Sequence, residues 1–139
     1  MQKYVFFILS FFVIFTACGK PQEGVVKDLS QETASKYVGT FSGILPCADC
    51  EGIDMELSIN PDKTFSLIEL YLTKESDLFL TEGSWKLSDK ADYIILTPSG
   101  SDADREDVFY TLKGVDLVKL DIYARPIADS QLNYTLRRK

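Results

Sequence analysis

The sequence predicts an all-β fold, a small antiparallel up-and-down β-barrel of six to eight strands. Short segments in which apolar and polar residues alternate recur along the chain, and this period of two is typical of half-buried strands. Clusters of Gly, Pro, Asn, Asp and Ser separate the segments and predict turns. A closed barrel is favoured over an open sheet because closure removes the two unpaired edges and covers the apolar face.

The candidate strands lie in residues 37–139, which we interpret as the β-barrel domain. The clearest alternation runs over residues 53–59, and Asn60-Pro61-Asp62-Lys63 follows it with the chemistry of a turn. The eight candidates are, in order, Tyr37–Leu45, Ile53–Ile59, Phe65–Leu72, Phe79–Leu87, Tyr93–Thr97, Asp107–Leu112, Asp116–Asp121 and Gln131–Leu136. A brief helix is predicted before them within Asp28–Lys36, with Asp28 or Ser30 as its N-cap.

The inward positions of these strands predict a filled core. Phe, Tyr, Leu and Ile predominate there, so we expect side chains to occupy the interior. Gly39, Gly43 and Gly83 lie inside strand patterns, where a missing side chain permits a bulge or a sharp coil. Trp85 shares the face of Gly83 and is interpreted as a plug at one end of the core.

The N-terminus predicts export and lipidation. Lys3 precedes the apolar run Tyr4–Phe15, which describes a signal peptide over residues 1–17 and is shorter than the roughly 20 residues of a membrane span. The segment Thr16-Ala17-Cys18-Gly19 resembles a bacterial lipobox, in which the cysteine carries the lipid and becomes the mature N-terminus. Residues 18–36 would then hold the lipidated Cys18, a tether and the possible short helix. The alternative is ordinary cleavage near Ala17, which leaves a free thiol.

Composition excludes several classes of function. The net charge of −6 disfavours nucleic acid as a partner and disfavours a protein that lies flat on anionic lipid, so membrane contact is expected through the lipid anchor alone. The sequence has no histidine, which removes histidine bases, Ser-His-Asp and Cys-His arrangements and the commonest zinc ligands. We therefore expect a protein that is not an enzyme and requires no cofactor.

Cys47 and Cys50 are the candidate functional residues. A disulfide is the default in the oxidising cell envelope, yet so short a loop contributes only about 2 kcal/mol, against about 4.7 kcal/mol for a loop of about 100 residues. The pair therefore shapes its own loop or performs chemistry. A thiol–disulfide oxidoreductase is disfavoured because the pair lies between strands, beside Asp49 and Glu51, and not at a helix N-terminus.

Metal binding is the remaining alternative for this pair. Two thiolates suit Cu(I), whereas zinc would need further ligands from Asp49 or Glu51. Met55 belongs to an alternating strand and is predicted to be core. A structural disulfide and a redox or metal role both stay open.

One block of residues resembles a known family. The pattern Gly39-x-Phe41-x-Gly43-x-Leu45-Pro46-Cys47-Ala48-Asp49-Cys50-x-Gly52-Ile53 is similar to the N-terminal domain of the NlpE family of bacterial outer-membrane lipoproteins. Weaker matches continue through Gly83-x-Trp85, Ile95-Leu96-Thr97, Tyr110, Leu117-x-x-Leu120-Asp121, Pro126-Ile127 and Leu132-Asn133-Tyr134-x-Leu136.

The resemblance implies a lipocalin-like barrel anchored by lipid on Cys18, with Cys47 and Cys50 as a disulfide or a copper site. It also implies a place in the cell envelope, lipid-anchored at the outer membrane on its periplasmic or surface face. The implied roles are copper tolerance, surface sensing and the reporting of envelope stress to a sensor protein. Two alternatives from other classes are a carrier of a small apolar ligand and a purely structural or adhesive domain.

Overall fold

The protein is described by a computed structural model that covers residues 23–73, 75–128 and 131–139. The predicted signal peptide and Cys18 lie outside the described residues. Within the described ranges, no helix has the length and apolar character needed to cross a bilayer.

The described chain is one helix followed by an eight-stranded antiparallel barrel, which confirms the predicted fold class. The strands neighbour one another in chain order, and the last pairs with the first. The elements are α1 Glu23–Tyr37, β1 Gly39–Leu45, β2 Ile53–Ile59, β3 Thr64–Tyr71, β4 Leu78–Leu87, β5 Ile94–Pro98, a 3₁₀ turn Gly100–Asp102, β6 Val108–Lys113, β7 Asp116–Lys119 and β8 Thr135–Arg138.

The strand register places the predicted apolar positions inside the barrel. On β2 and β3, Ile59 pairs with Phe65 and Leu57 pairs with Leu67, and all four side chains are buried. The same alternation holds around the barrel and builds one core from Phe41, Leu45, Met55, Leu57, Ile59, Phe65, Leu67, Trp85, Ile94, Leu96, Tyr110, Leu117 and Leu136. The prediction that Met55 belongs to the core is confirmed.

Two element boundaries differ from those predicted. The helix begins at Glu23, so part of the predicted tether is helical, and it ends at Tyr37, which was assigned to the first strand. Tyr37 is buried and its hydroxyl donates a hydrogen bond to Asp92 O at 3.2 Å. Tyr37 therefore ends the helix and packs against the barrel. This contact is between distant residues, so the alternation of apolar and polar residues along the chain does not predict it.

The last strand is also displaced, because β8 covers Thr135–Arg138 and not Gln131–Leu136. Its last two residues are arginines, so the strand does not show the apolar–polar alternation on which the prediction was based. Their backbones complete the barrel, since Arg138 pairs with Phe41 and Arg137 pairs with Ser42 of β1.

Trp85 closes the end of the barrel next to α1, as predicted. Its side chain is 3% exposed, and Nε1–H donates to Asn60 O at 2.9 Å. Lys63 Nζ lies 3.8 Å from the centroid of the ring, and partial burial lowers the pKa of that amine. Ala34 of α1 joins the same core. We call this closed end the helix end.

The opposite end, which we call the disulfide end, is not fully filled, so the prediction of a filled core holds only in part. A cavity of about 210 Å³ lies among inward side chains there. Inward positions near this end carry Glu69, Thr81 and Lys119, which leave the space open where large apolar side chains would fill it.

Gly83 permits the close approach of two strands. A Cβ atom at this position would meet the carbonyl oxygen of Thr97 on β5 and would lie 2.7 Å from Cε1 of Phe65. The absent side chain therefore lets β4 pack against the ring of Phe65 while it pairs with β5.

Gly83→Ala is expected to lower the free energy of unfolding by about 1–3 kcal/mol, because the added methyl group overpacks the interior. Urea unfolding followed by circular dichroism measures the change. Ser84→Ala, on the exposed face of the same strand, is the matched control and should stay within about 0.5 kcal/mol of the wild type. Equal unfolding midpoints for the two variants would contradict the close approach.

Candidate functional site

The candidate site is the loop between β1 and β2, residues 46–52, which we call the disulfide loop. Cys47 and Cys50 are joined by a disulfide, with their Cα atoms 5.3 Å apart. The disulfide alternative for this pair is therefore the state that the structure shows. Because β1 starts at the helix end, the disulfide loop lies at the other end of the barrel.

Backbone hydrogen bonds hold the disulfide loop to the end of β3. Glu51 N donates to Leu72 O at 3.2 Å, and Leu72 N donates to Gly52 O at 2.9 Å. Gly52 has a φ of +156°, and a Cβ there would lie 2.6 Å from Cγ2 of Ile44. The loop thus continues the β2–β3 pairing, and glycine is needed where it rejoins β2.

The surroundings of the two sulfurs are rich in oxygen. Cys47 Sγ lies 3.6 Å from Asp49 Oδ1, and Cys50 Sγ lies 3.3 Å from Gly52 O. Both cysteines are half-buried, while Ala48 and Asp49 between them are exposed. Negatively polarised oxygens beside the pair disfavour thiolates. The described helix lies at the other end of the barrel, so the arrangement of a thiol–disulfide oxidoreductase is not formed.

The metal alternatives fit the oxidised loop poorly. Among the described residues, no group of three or more His, Cys, Asp or Glu side chains is placed to hold a metal ion. A disulfide also lacks the thiolates that a soft ion prefers. Two-coordinate Cu(I) would therefore need the reduced form of Cys47 and Cys50, and the zinc set with Asp49 or Glu51 has no support in the geometry.

A buried polar group that the sequence pattern did not predict lies at the same end of the barrel. Glu69 is 9% exposed on the inward face of β3, and Arg105 from the β5–β6 connection places Nη1 3.5 Å from its Oε2. The same Nη1 donates to Oγ1 of Thr81. The signal was present in the sequence, since Glu69 interrupts an inward series that begins with Phe65 and Leu67.

These features define a class of protein, a small closed antiparallel β-barrel that carries a Cys-x-x-Cys disulfide between its first two strands. Residues 41–130 match the family model of the NlpE N-terminal domain. The chain belongs to this family.

Named relatives agree with this assignment. The chain is 34% identical to lipoprotein NlpE of Escherichia coli (strain K12) over 141 residues, which cover 98% of this chain and 57% of that protein. It is 34% identical over 101 residues to the 17 kDa lipoprotein of Treponema pallidum (strain Nichols), covering 70% of this chain and 63% of the relative. The chain thus spans less than two thirds of the length of either relative.

Solved structures give the same fold. A crystal structure of a Shewanella oneidensis protein described as a lipoprotein superposes with a TM-score of 0.66 at 30% identity, covering 79% of this chain and 94% of that one. The crystal structure of the Cpx pathway activator NlpE from E. coli superposes with a TM-score of 0.57 at 38% identity, covering 72% of this chain and 49% of that one.

Reduction of the disulfide is expected to lower the free energy of unfolding by only about 2 kcal/mol, because the closed loop is short. Urea unfolding with and without dithiothreitol measures the difference. The double variant Cys47→Ser/Cys50→Ser is the control and should not respond to the reductant. Loss of cooperative unfolding on reduction would show instead that the bond holds the whole barrel together.

Proposed function

We propose that the protein is a membrane-anchored envelope lipoprotein that acts in copper tolerance and in envelope-stress or surface sensing, and that it is not an enzyme. The observation that carries the proposal is membership of the NlpE N-terminal domain family together with the Cys47–Cys50 disulfide loop. The E. coli relative is described as an activator of the Cpx pathway, which supports a stress sensor protein as the partner.

The proposed anchor is a lipid on Cys18. The signal pattern of residues 1–17 and the lipobox-like Thr16-Ala17-Cys18-Gly19 support it, and both curated relatives are named lipoproteins. The outer membrane is the proposed location. The sequence between Cys18 and α1 is short and polar and would join the lipid to the barrel domain.

The proposed sensing element is the disulfide loop. An envelope dithiol would reduce the Cys47–Cys50 bond by thiol–disulfide exchange, in which the two cysteines gain two electrons and two protons and the dithiol becomes a disulfide. The freed sulfurs could then supply the two soft ligands that Cu(I) prefers. The loop is bonded to Leu72 through Glu51 and Gly52, so its opening would alter the surface at the end of β3 that a partner can contact.

Copper binding is expected only in the reduced protein and only with both cysteines. Titration of Cu(I) into the reduced chain, in competition with a chromogenic chelator, should give one tight site that weakens at least about tenfold in Cys47→Ser and in Cys50→Ser, because each variant removes one of two soft ligands. Met55→Leu is the control and should bind as the wild type does, since Met55 is buried in the core. Unchanged affinity in both cysteine variants would exclude the copper site.

One experiment tests lipidation and signalling by two separate readouts, membrane fractionation and a reporter gene. In a bacterium that lacks its own NlpE, overproduction of the chain should raise a Cpx-dependent reporter, and the protein should sediment with the outer membrane. Cys18→Ser should remove the protein from the outer-membrane fraction and lower the reporter signal several-fold, because the lipid is the proposed attachment to that membrane. Cys47→Ser is the control for loss of a cysteine as such and should stay in the membrane fraction. A Cys18→Ser protein that still sediments with the outer membrane would refute the anchor.

A further inference from the structure

The cavity at the disulfide end is a second candidate site, separate from the cysteines. Its walls are apolar side chains from four strands, namely Met55, Phe65, Leu67, Leu96, Pro98 and Val108. At about 210 Å³ it exceeds the volume of about 150 Å³ that holds a benzene molecule in an engineered core, and it falls below the roughly 300 Å³ at which sites for drug-sized ligands begin. Its size therefore fits a molecule slightly larger than benzene.

Tyr110 brings an unsatisfied polar group to this cavity. The side chain lines the cavity and is 0% exposed, and its hydroxyl has no hydrogen-bond partner among the described residues. Leaving a buried hydroxyl unpaired is unfavourable. Burial and the nearby charge of Glu69 raise the pKa of Tyr110, so the hydroxyl keeps its proton and can donate.

Glu69 supplies an acceptor on the same cavity. Its contact with Arg105 Nη1, at 3.5 Å, is longer than a normal hydrogen bond, so the carboxylate retains the capacity to accept one. Arg105 nevertheless balances its charge, and Glu106 and Lys119, which also line the cavity, carry opposite charges. The site therefore has no net charge and favours an uncharged occupant, because an unpaired charge would be buried at a high cost.

We propose that this cavity binds a small uncharged molecule with an apolar body of six to eight carbon atoms and one hydroxyl group, of the phenol or short-chain alcohol class. The hydroxyl group of the ligand accepts a hydrogen bond from Tyr110 and donates one to Glu69, while the apolar walls surround its body. The proposal is independent of the sensing role of the disulfide loop, since it uses none of the loop residues. It differs from a carrier of purely apolar ligands in requiring the polar pair.

The test is an NMR and calorimetric titration of the full chain in lipid nanodiscs with p-cresol, toluene and benzoate as probes. Empty nanodiscs are titrated in parallel to subtract partition into lipid. p-Cresol should bind at least about tenfold more tightly than toluene, which lacks the hydroxyl, and benzoate should bind more weakly than both because of its charge.

Three variants assign the binding to the cavity. Tyr110→Phe should reduce p-cresol affinity about tenfold and leave toluene affinity unchanged, while Tyr93→Phe, the same change at a ring that packs against Phe109, should leave both unchanged. Val108→Phe should abolish the binding of p-cresol and of toluene, because the larger side chain fills the cavity. This variant keeps the test decisive if Tyr110→Phe does not fold. Equal binding of p-cresol and toluene, or a cavity that holds only water in every titration, would overturn the proposal.

Discussion

Closure of the barrel depends on the two strand pairings that have the fewest residue pairs, those of β8 with β1 and with β7. Strand β8 pairs with β1 through two residue pairs and with β7 through two more, Leu117 with Leu136 and Val118 with Thr135. Without β8, the edges of β1 and β7 would be open and the core would be exposed along one side. Gly43 makes the closure possible, since a Cβ at this position would lie 2.8 Å from Thr135 O. A strand of four residues therefore decides whether the molecule is a barrel or an open sheet.

Arg138 extends this closure to the helix. Its guanidinium donates to Val38 O at 2.8 Å, to Val115 O at 3.2 Å and to Lys36 O, and it lies 4.5 Å from the centroid of Phe41. Carbonyl groups at a helix C-terminus lack intrahelical partners, so the bond to Lys36 O satisfies one of them. Together the three bonds hold the C-terminus of α1 against the barrel. One side chain thus joins the helix, the last strand and the β6–β7 turn, and the helix end is sealed as a result.

The two ends of the barrel consequently differ in what they can do. The helix end is closed by Trp85 and α1, whereas the disulfide end carries the half-buried cysteine pair and the cavity. Strand β3 contributes to both the disulfide loop and the cavity. Leu72, directly after β3, forms the backbone hydrogen bonds that hold the loop, and the inward face of β3 supplies Glu69 to the cavity. Both proposed sites therefore lie at the end where the core is incomplete.

Local pattern determined much of the fold. The bounds of β2 were predicted correctly because its apolar and polar residues alternate strictly between the two faces of the sheet. The cysteine block alone indicated the family. These features depend on spacing within a few residues, which a sequence states directly.

The tertiary structure alone decided the rest. Strand β8 ends in two arginines that pair with residues about one hundred positions earlier, and the end of α1 is set by the burial of Tyr37 in the barrel. The sequence left the state of Cys47 and Cys50 open, and the geometry of the folded loop joins them. The polar groups of the cavity come together because Glu69, Arg105 and Tyr110 converge from three separate segments. Such features follow from contacts between distant parts of the chain, and no local pattern records which distant residues will meet.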